Sequence, residues 1–101
     1  MIPPPSLVEL EAAARLVYRA MPATPQYAWP LLGARLGCEV WVKHENHTPT
    51  GAFKVRGGLV YLARLTEREP GLAGVISATR GNHGQSIAYA ARRHGVVATI
   101  V

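Results

Sequence analysis

Two short stretches hold the residue types and spacings that could do chemistry. The first, "GAFKVRGG", places Lys54 where a helix is expected to start, and this is one of only two lysines beside nine arginines. An ammonium in an opening helical turn faces the positive end of the macrodipole, whereas a neutral amine or imine is penalised less. Such an amine can attack a carbonyl and form a Schiff base, which a permanently protonated guanidinium cannot. Lys54 is therefore the candidate nucleophile; the competing reading of the same residue is an exposed first-turn lysine. The second stretch, "ATRGNHGQS", runs from Thr79 through Arg80, Gly81, Asn82 and His83 into another helix start, where free backbone N–H groups suit an anion.

The elements that must position these residues are legible in outline. Ser6 followed by Glu9 forms a capping pair, and Leu7, Leu10, Ala14, Val17 and Met21 recur on one face, so a helix is expected over about 7–19. Pro22 and Pro25 then extend the chain. Pro30 opens a short helix that Gly37 ends. "EVWVKHE" alternates apolar and polar residues as a strand does, and "NHTPTG" is turn-rich. Helical spacing returns from Phe53 to about Arg68, with Gly57 and Gly58 marking close packing or a bend. "GVISA" reads as a short buried strand, and "QSIAYAARRHG" as a helix with a small-residue face of Ile87, Ala88 and Ala91. "VVATIV" is a further strand. Strand, helix, strand, helix, strand, with the late strands apolar throughout, predicts an α/β fold: a parallel sheet flanked by helices. Ligands of such sheets sit beyond the carboxyl ends of strands, and both chemical stretches are expected there.

Composition narrows the function classes. The chain has 101 residues, 49% hydrophobic and 17% charged, which is globular, and its net charge of +5 comes without any aspartate. The arginines are scattered except for Arg92 and Arg93, so the charge reads as a solvated surface and not as a nucleic-acid footprint. The single cysteine, Cys38, excludes an internal disulfide framework and reads as a small filler between helix and strand. The N-terminus lacks a basic leader with a long apolar stretch, and no apolar run reaches membrane-spanning length. A soluble, cytoplasmic protein without membrane or nucleic-acid partners is expected. Its terminal apolar run "GVVATIV" calls for neighbours, so a longer protein is expected too.

Other motifs carry less. His44, Glu45, His47 and His83 include an H-x-x-H within a loop, but no cysteine or further carboxylate has ligand spacing around it, so no metal is assigned. Glu45 reads as a structural hydrogen-bond acceptor. Trp29, Trp41 and Tyr61 read as core residues. "GNHGQSI", Gly81 to Ile87, fits the G-x-x-G-x-x-I loop with which KH domains clamp RNA, but it follows a strand-like segment where a KH loop joins two helices. "GAFKVRGG" is no nucleotide P-loop, since the lysine precedes the double glycine.

"KHENHTPTGAFKVRGG" closely resembles the signature of the fold type II, or tryptophan synthase β-like, pyridoxal-phosphate enzymes. Within them it is similar to the threonine and serine dehydratase branch, whose pattern runs K-x-E, a loop, then G-S-F-K-x-R-G. "SATRGNHGQSIAYAA" is similar to that branch's asparagine loop, S-x-G-N-H before a helix of small residues. "TPQ" and "LGCEVWVK" match the segments that precede the lysine. Two ordered motifs at family spacing are more specific than either alone.

The resemblance implies that Lys54 holds pyridoxal 5'-phosphate as a Schiff base, that Phe53 packs near it, and that the Asn82 amide donates to the ring's phenolic oxygen. Thr79, Arg80, Gly81, Asn82 and His83 would receive the carboxylate of a small amino-acid substrate. Released from the cofactor by the substrate, Lys54 would remove the Cα proton, and loss of the β-hydroxyl would lead to a 2-oxo acid and ammonia: 2-oxobutanoate from threonine, pyruvate from serine. Racemisation and β-replacement are the alternatives within the fold. The chain departs from the pattern at Ala52, Thr79, Arg80 and Gln26, where the family has serine, serine, a small or uncharged residue and leucine; Arg80 either helps hold a carboxylate or points to solvent. The resemblance divides the chain into an N-terminal helix, 1–21, and the first part of a cofactor-binding catalytic domain, 22–101. The phosphate loop is expected in a longer chain, without which these residues would be inactive, and the full enzyme is expected to be a homo-oligomer.

Overall fold

The computed structural model describes all 101 residues. Helix α1 spans Leu7–Ala20, and its start is the reciprocal cap expected from the sequence: the Glu9 N–H donates to Ser6 Oγ at 3.3 Å while the Ser6 N–H donates to Glu9 Oε2 at 2.8 Å. Only the last turns of its apolar face are used. Val17 and Met21 join the core, whereas Leu7 is 70% exposed and Leu10 is exposed as well, because α1 reaches the rest of the chain through its carboxyl-terminal half.

Strand β1 (Gln26–Ala28), helix α2 (Pro30–Leu36) and strand β2 (Trp41–Lys43) form a small unit. β1 and β2 pair antiparallel, with Gln26 opposite Lys43 and Ala28 opposite Trp41. Here the structure departs from the single parallel sheet expected of all the strands. The "QYA" segment, read only as extended chain, captures β2 into a separate ribbon, consistent with the alternating pattern of a strand that leaves one face in water. The same geometry corrects the aromatic assignment: Trp29, Trp41 and Tyr61 are exposed, not core. Trp29 donates to His44 Nε2 at 3.0 Å and Trp41 to Glu39 at 2.7 Å, so the indole N–H groups are satisfied at the surface. Cys38 is also exposed and is no filler.

A 3-10 turn at Glu45–His47 leads to helix α3, Val55–Arg68. The helix begins later than its apolar spacing suggested, and the cause is local. The Thr48 hydroxyl donates to the Ala52 carbonyl at 2.7 Å and accepts from the Ala52 N–H at 3.0 Å, while Gly51 takes a φ of 70°. These bonds hold residues 48–52 in a closed turn, so the chain becomes helical only at Lys54.

Strand β3 (Gly74–Ser77), helix α4 (Asn82–Arg93) and strand β4 (Val97–Ile100) form a crossover unit whose strands run parallel, with Gly74 opposite Val97 and Ser77 opposite Ile100. The ladder continues one step through the Val101 N–H to the Ser77 carbonyl at 3.0 Å and the Thr79 N–H to the Val101 carbonyl at 2.8 Å. This is the parallel sheet with covering helix that the α/β reading anticipated.

The core lies where α3 crosses α4, built from Val55, Leu59, Leu62, Ile87, Ala90 and Ala91 with Val17 and Met21. Ala88 is exposed; Gly84 and Ser86 take the buried face of α4 instead. One glycine of the pair explains the close crossing. A Cβ on Gly58 would stand 2.9 Å from the Ser86 carbonyl oxygen and would strike its hydroxyl, whereas one on Gly57 would meet nothing within 4 Å. Gly58→Ala is expected to destabilise the protein by about 1–3 kcal/mol, as overpacking does, and Gly57→Ala to be neutral or stabilising. Thermal melts of the two variants side by side check this.

Candidate active site

Lys54 is the N-cap residue of α3, in a helical conformation at φ −62° and ψ −20°, and its side chain makes no capping bond. It is exposed, and its carbonyl is held from two sides, by the Gly58 N–H at 3.1 Å and by the Ser86 hydroxyl at 2.7 Å. The amine is therefore free while the backbone that carries it is fixed.

The second stretch builds the start of α4. Gly81 is its N-cap at φ 153°, a conformation open to glycine and strained for other residues. No N-cap side chain serves this helix. Thr79 does so from two residues upstream, its hydroxyl accepting from the Gly81 N–H at 3.3 Å and the Gly84 N–H at 3.2 Å. The N–H groups of Asn82 and His83 have no partner within the chain. They point outward with the positive end of the helix.

Between these helix starts lies an open cleft of about 780 Å³. Phe53, Lys54, Gly57, Gly58 and Tyr61 line one side; Val75, Ile76 and Ser77 of β3, with His83 and Ile87 of α4, line the other. Of the residues singled out in the sequence, the cleft brings together Lys54, Phe53 and His83. It does not include Thr79, Arg80, Gly81 or Asn82 among its lining. Thr79 is occupied with the helix start, Arg80 is exposed, and Asn82 sits at the same turn as His83 with an exposed side chain. The strand-to-helix context and the burial of Gly84 within α4 disagree with a KH loop.

Sequence reasoning missed several residues here. Arg56 lines the cleft and is gripped by Glu45: Arg56 Nε to Oε2 at 2.7 Å, and an Arg56 terminal nitrogen to Oε1 at 2.9 Å. Thr24 donates to the same carboxylate at 2.5 Å, and the guanidinium lies 5.7 Å from the Tyr18 ring centroid. The Arg56 hydrogen bonds above all, helped by Thr24 and opposed by desolvation, bring the Glu45 pKa down to about 2. The same bond to Glu45 pushes the Arg56 pKa upward. Glu45 is the structural acceptor expected of it, and the network ties α1, the segment before β1 and the 3-10 turn to the start of α3. Ser86 was the other omission; its signal was a lone hydroxyl in a run of small helix residues.

A cleft of this size matches ligand sites of about 300–1,000 Å³, with mostly apolar walls and few polar groups. The apolar walls fit the faces of an aromatic ring, the bare backbone at Gly57 leaves room, and Lys54 supplies an amine for an aldehyde. The chemistry of the lining thus fits pyridoxal phosphate.

Residues 17–101 match the family model described as "Pyridoxal-phosphate dependent enzyme". The chain belongs to this family. The L-threonine dehydratase biosynthetic IlvA of Escherichia coli (strain K12) is 41% identical over 85 residues, which are 84% of this chain and 16% of that protein. The L-threonine ammonia-lyase of Thermotoga maritima is 36% identical over 96 residues, 95% of this chain and 24% of the relative. Among solved structures, a pyridoxal 5'-phosphate-dependent aspartate racemase superposes with a TM-score of 0.87 at 34% identity, covering 98% of this chain and 32% of its own. A threonine deaminase from T.th. does so with a TM-score of 0.78 at 38% identity, covering 96% and 33%. The chain therefore spans a quarter or less of these sequence relatives and a third of these structures. The family and the α/β fold agree with the resemblance read from the two motifs. No helix is long and apolar enough to cross a membrane.

Proposed function

We propose that this chain forms the lysine-bearing part of a pyridoxal-phosphate-dependent dehydratase that removes water from threonine or serine, giving a 2-oxo acid and ammonia. The observation that carries the reading is the cleft joining Lys54 to the start of α4. Bound pyridoxal phosphate supplies an electron sink for a deprotonated Cα. Lys54 would hold the cofactor and, once free, would take the Cα proton; its exposed amine on a fixed backbone suits both duties. Phe53 and the apolar wall of β3, which line the cleft, would limit water around the ring. Asn82, at the same turn as the cleft-lining His83, would donate to the ring's phenolic oxygen, and the Thr79–His83 turn would take the substrate carboxylate through the free N–H groups of Asn82 and His83. Arg80 is assigned to solvent.

In the same proposal residues 22–101 are the first part of the catalytic domain, and residues 1–21, which carry α1, form an N-terminal segment packed onto it through Val17 and Met21. Ile76, 73% exposed, and Val97, 67% exposed, leave apolar area on the β3–β4 pair that further elements of a longer enzyme would cover. A cytoplasmic homo-oligomer is part of the same proposal, to be checked by sedimentation. One observation favours a second reaction: the TM-score of 0.87 to an aspartate racemase. Loading the full-length enzyme that carries these residues with pyridoxal phosphate, reducing with borohydride and mapping the peptides is expected to place the label on Lys54. Incubation with L-threonine and L-serine is expected to release 2-oxo acid; appearance of the D-enantiomer without 2-oxo acid would instead identify a racemase.

A further inference from the structure

Ser86 has no exposed surface. A serine inside a helix commonly turns its hydroxyl back to the carbonyl four residues earlier in its own helix. This one does not. Its Oγ reaches across the helix crossing and donates to the carbonyl of Lys54 at 2.7 Å, and the absent side chain of Gly58 is what lets the two backbones come close enough.

We propose that Ser86 is a positioning residue for Lys54, setting the distance between the lysine and the start of α4. Ser86 lies one turn beyond Asn82, so a single hydrogen bond ties the element carrying Asn82 and His83 to the residue carrying the amine. Nothing holds the lysine from its own side chain, which is exposed and uncapped, so the geometry of its amine depends on how firmly its backbone is held. The Gly58 N–H bond to the same carbonyl fixes Lys54 to α3 alone; only the Ser86 bond refers it to α4. This inference rests on the reading of Lys54 as the cofactor-bearing lysine.

The test compares wild type, Ser86→Ala and Ser86→Cys in the full-length enzyme loaded with pyridoxal phosphate, with Ala90→Gly as a control on the same helix that makes no hydrogen bond to the Lys54 carbonyl. The readouts are cofactor affinity by absorbance titration, the yield of borohydride-fixed label on Lys54, amide exchange at Gly58, and melting temperature. Ser86→Ala is expected to weaken cofactor affinity about fivefold, the worth of one net hydrogen bond, and to speed Gly58 exchange. Ser86→Cys, with a weaker donor, is expected to fall between. Ala90→Gly is expected to lower the melting temperature and leave affinity unchanged. Wild-type affinity in Ser86→Ala, or an equal loss in Ala90→Gly, overturns the proposal. Should Ser86→Ala not fold, Ser86→Cys decides: a partial loss supports the role and wild-type affinity refutes it. Absence of label on wild-type Lys54 refutes the underlying reading itself, whereas label there with an indifferent Ser86 refutes this inference alone.

Discussion

In the full-length enzyme, Lys54→Ala is expected to abolish the borohydride-fixed cofactor label and to lower turnover by at least about 10³-fold while leaving the melting temperature of the cofactor-free protein where it was. The two halves of this expectation have separate causes. A positioned general base contributes about 10²–10⁴-fold, and this lysine is also asked to hold the cofactor, so its loss removes two functions at once. Stability is spared because the side chain is exposed and makes no capping bond, and substitutions of that kind stay within about 0.5 kcal/mol. Lys54→Arg sharpens the result. It keeps the positive charge and the length but cannot form the imine, so it should fall with alanine and not with wild type. Melting curves, peptide mapping and a 2-oxo acid assay on the three proteins decide it. Turnover within tenfold of wild type in either variant would remove Lys54 from the chemistry.

What the sequence revealed of this fold depended on whether the signal was local. The cap at Ser6 and Glu9, the stop at Gly37 and the crossover unit of β3, α4 and β4 all rest on neighbours a few residues apart, and all were legible. The β1–β2 ribbon was not, because pairing Gln26 with Lys43 depends on a partner seventeen positions away and "QYA" has no strand pattern of its own. The exposed tryptophans were misread for a related reason: the alternation that marks a strand does not say whether anything covers its face. At the site, Lys54 was legible from its type and position, Phe53 and His83 from the motif resemblance, and the three share one cleft. Ser86 and Arg56 escaped because their roles are made by tertiary contacts, a hydroxyl crossing to α3 and a guanidinium folded back onto Glu45. The Thr79 turn was located correctly, yet its hydroxyl serves the helix start, which only coordinates could show.

The Glu45–Arg56 pair supplies the second large effect, in stability and its dependence on pH. The Glu45 carboxyl titrates at about 2 in the folded protein against an ordinary 4.5. A depressed carboxylate contributes stability that is fully present above the ordinary value and is lost as pH falls through the folded one, so the window runs from about pH 4.5 down to about 2. The full linkage would be about 3 kcal/mol. Side-chain exposure of 25% for Arg56 and 21% for Glu45 admits enough water to reduce this, and about 1–3 kcal/mol is expected. Glu45→Gln keeps the shape and an acceptor for Thr24 but removes the charge. It should therefore melt below wild type at pH 6, by about 4–8 °C for each kcal/mol lost, and the two curves should converge as pH falls toward 2. Because Arg56 lies two residues beyond Lys54 and lines the same cleft, the variant should also reduce the yield of label on Lys54 at pH 6. A gap in melting temperature that persists undiminished at pH 2 would mean that the carboxylate's charge is not what ties the 3-10 turn to the start of α3.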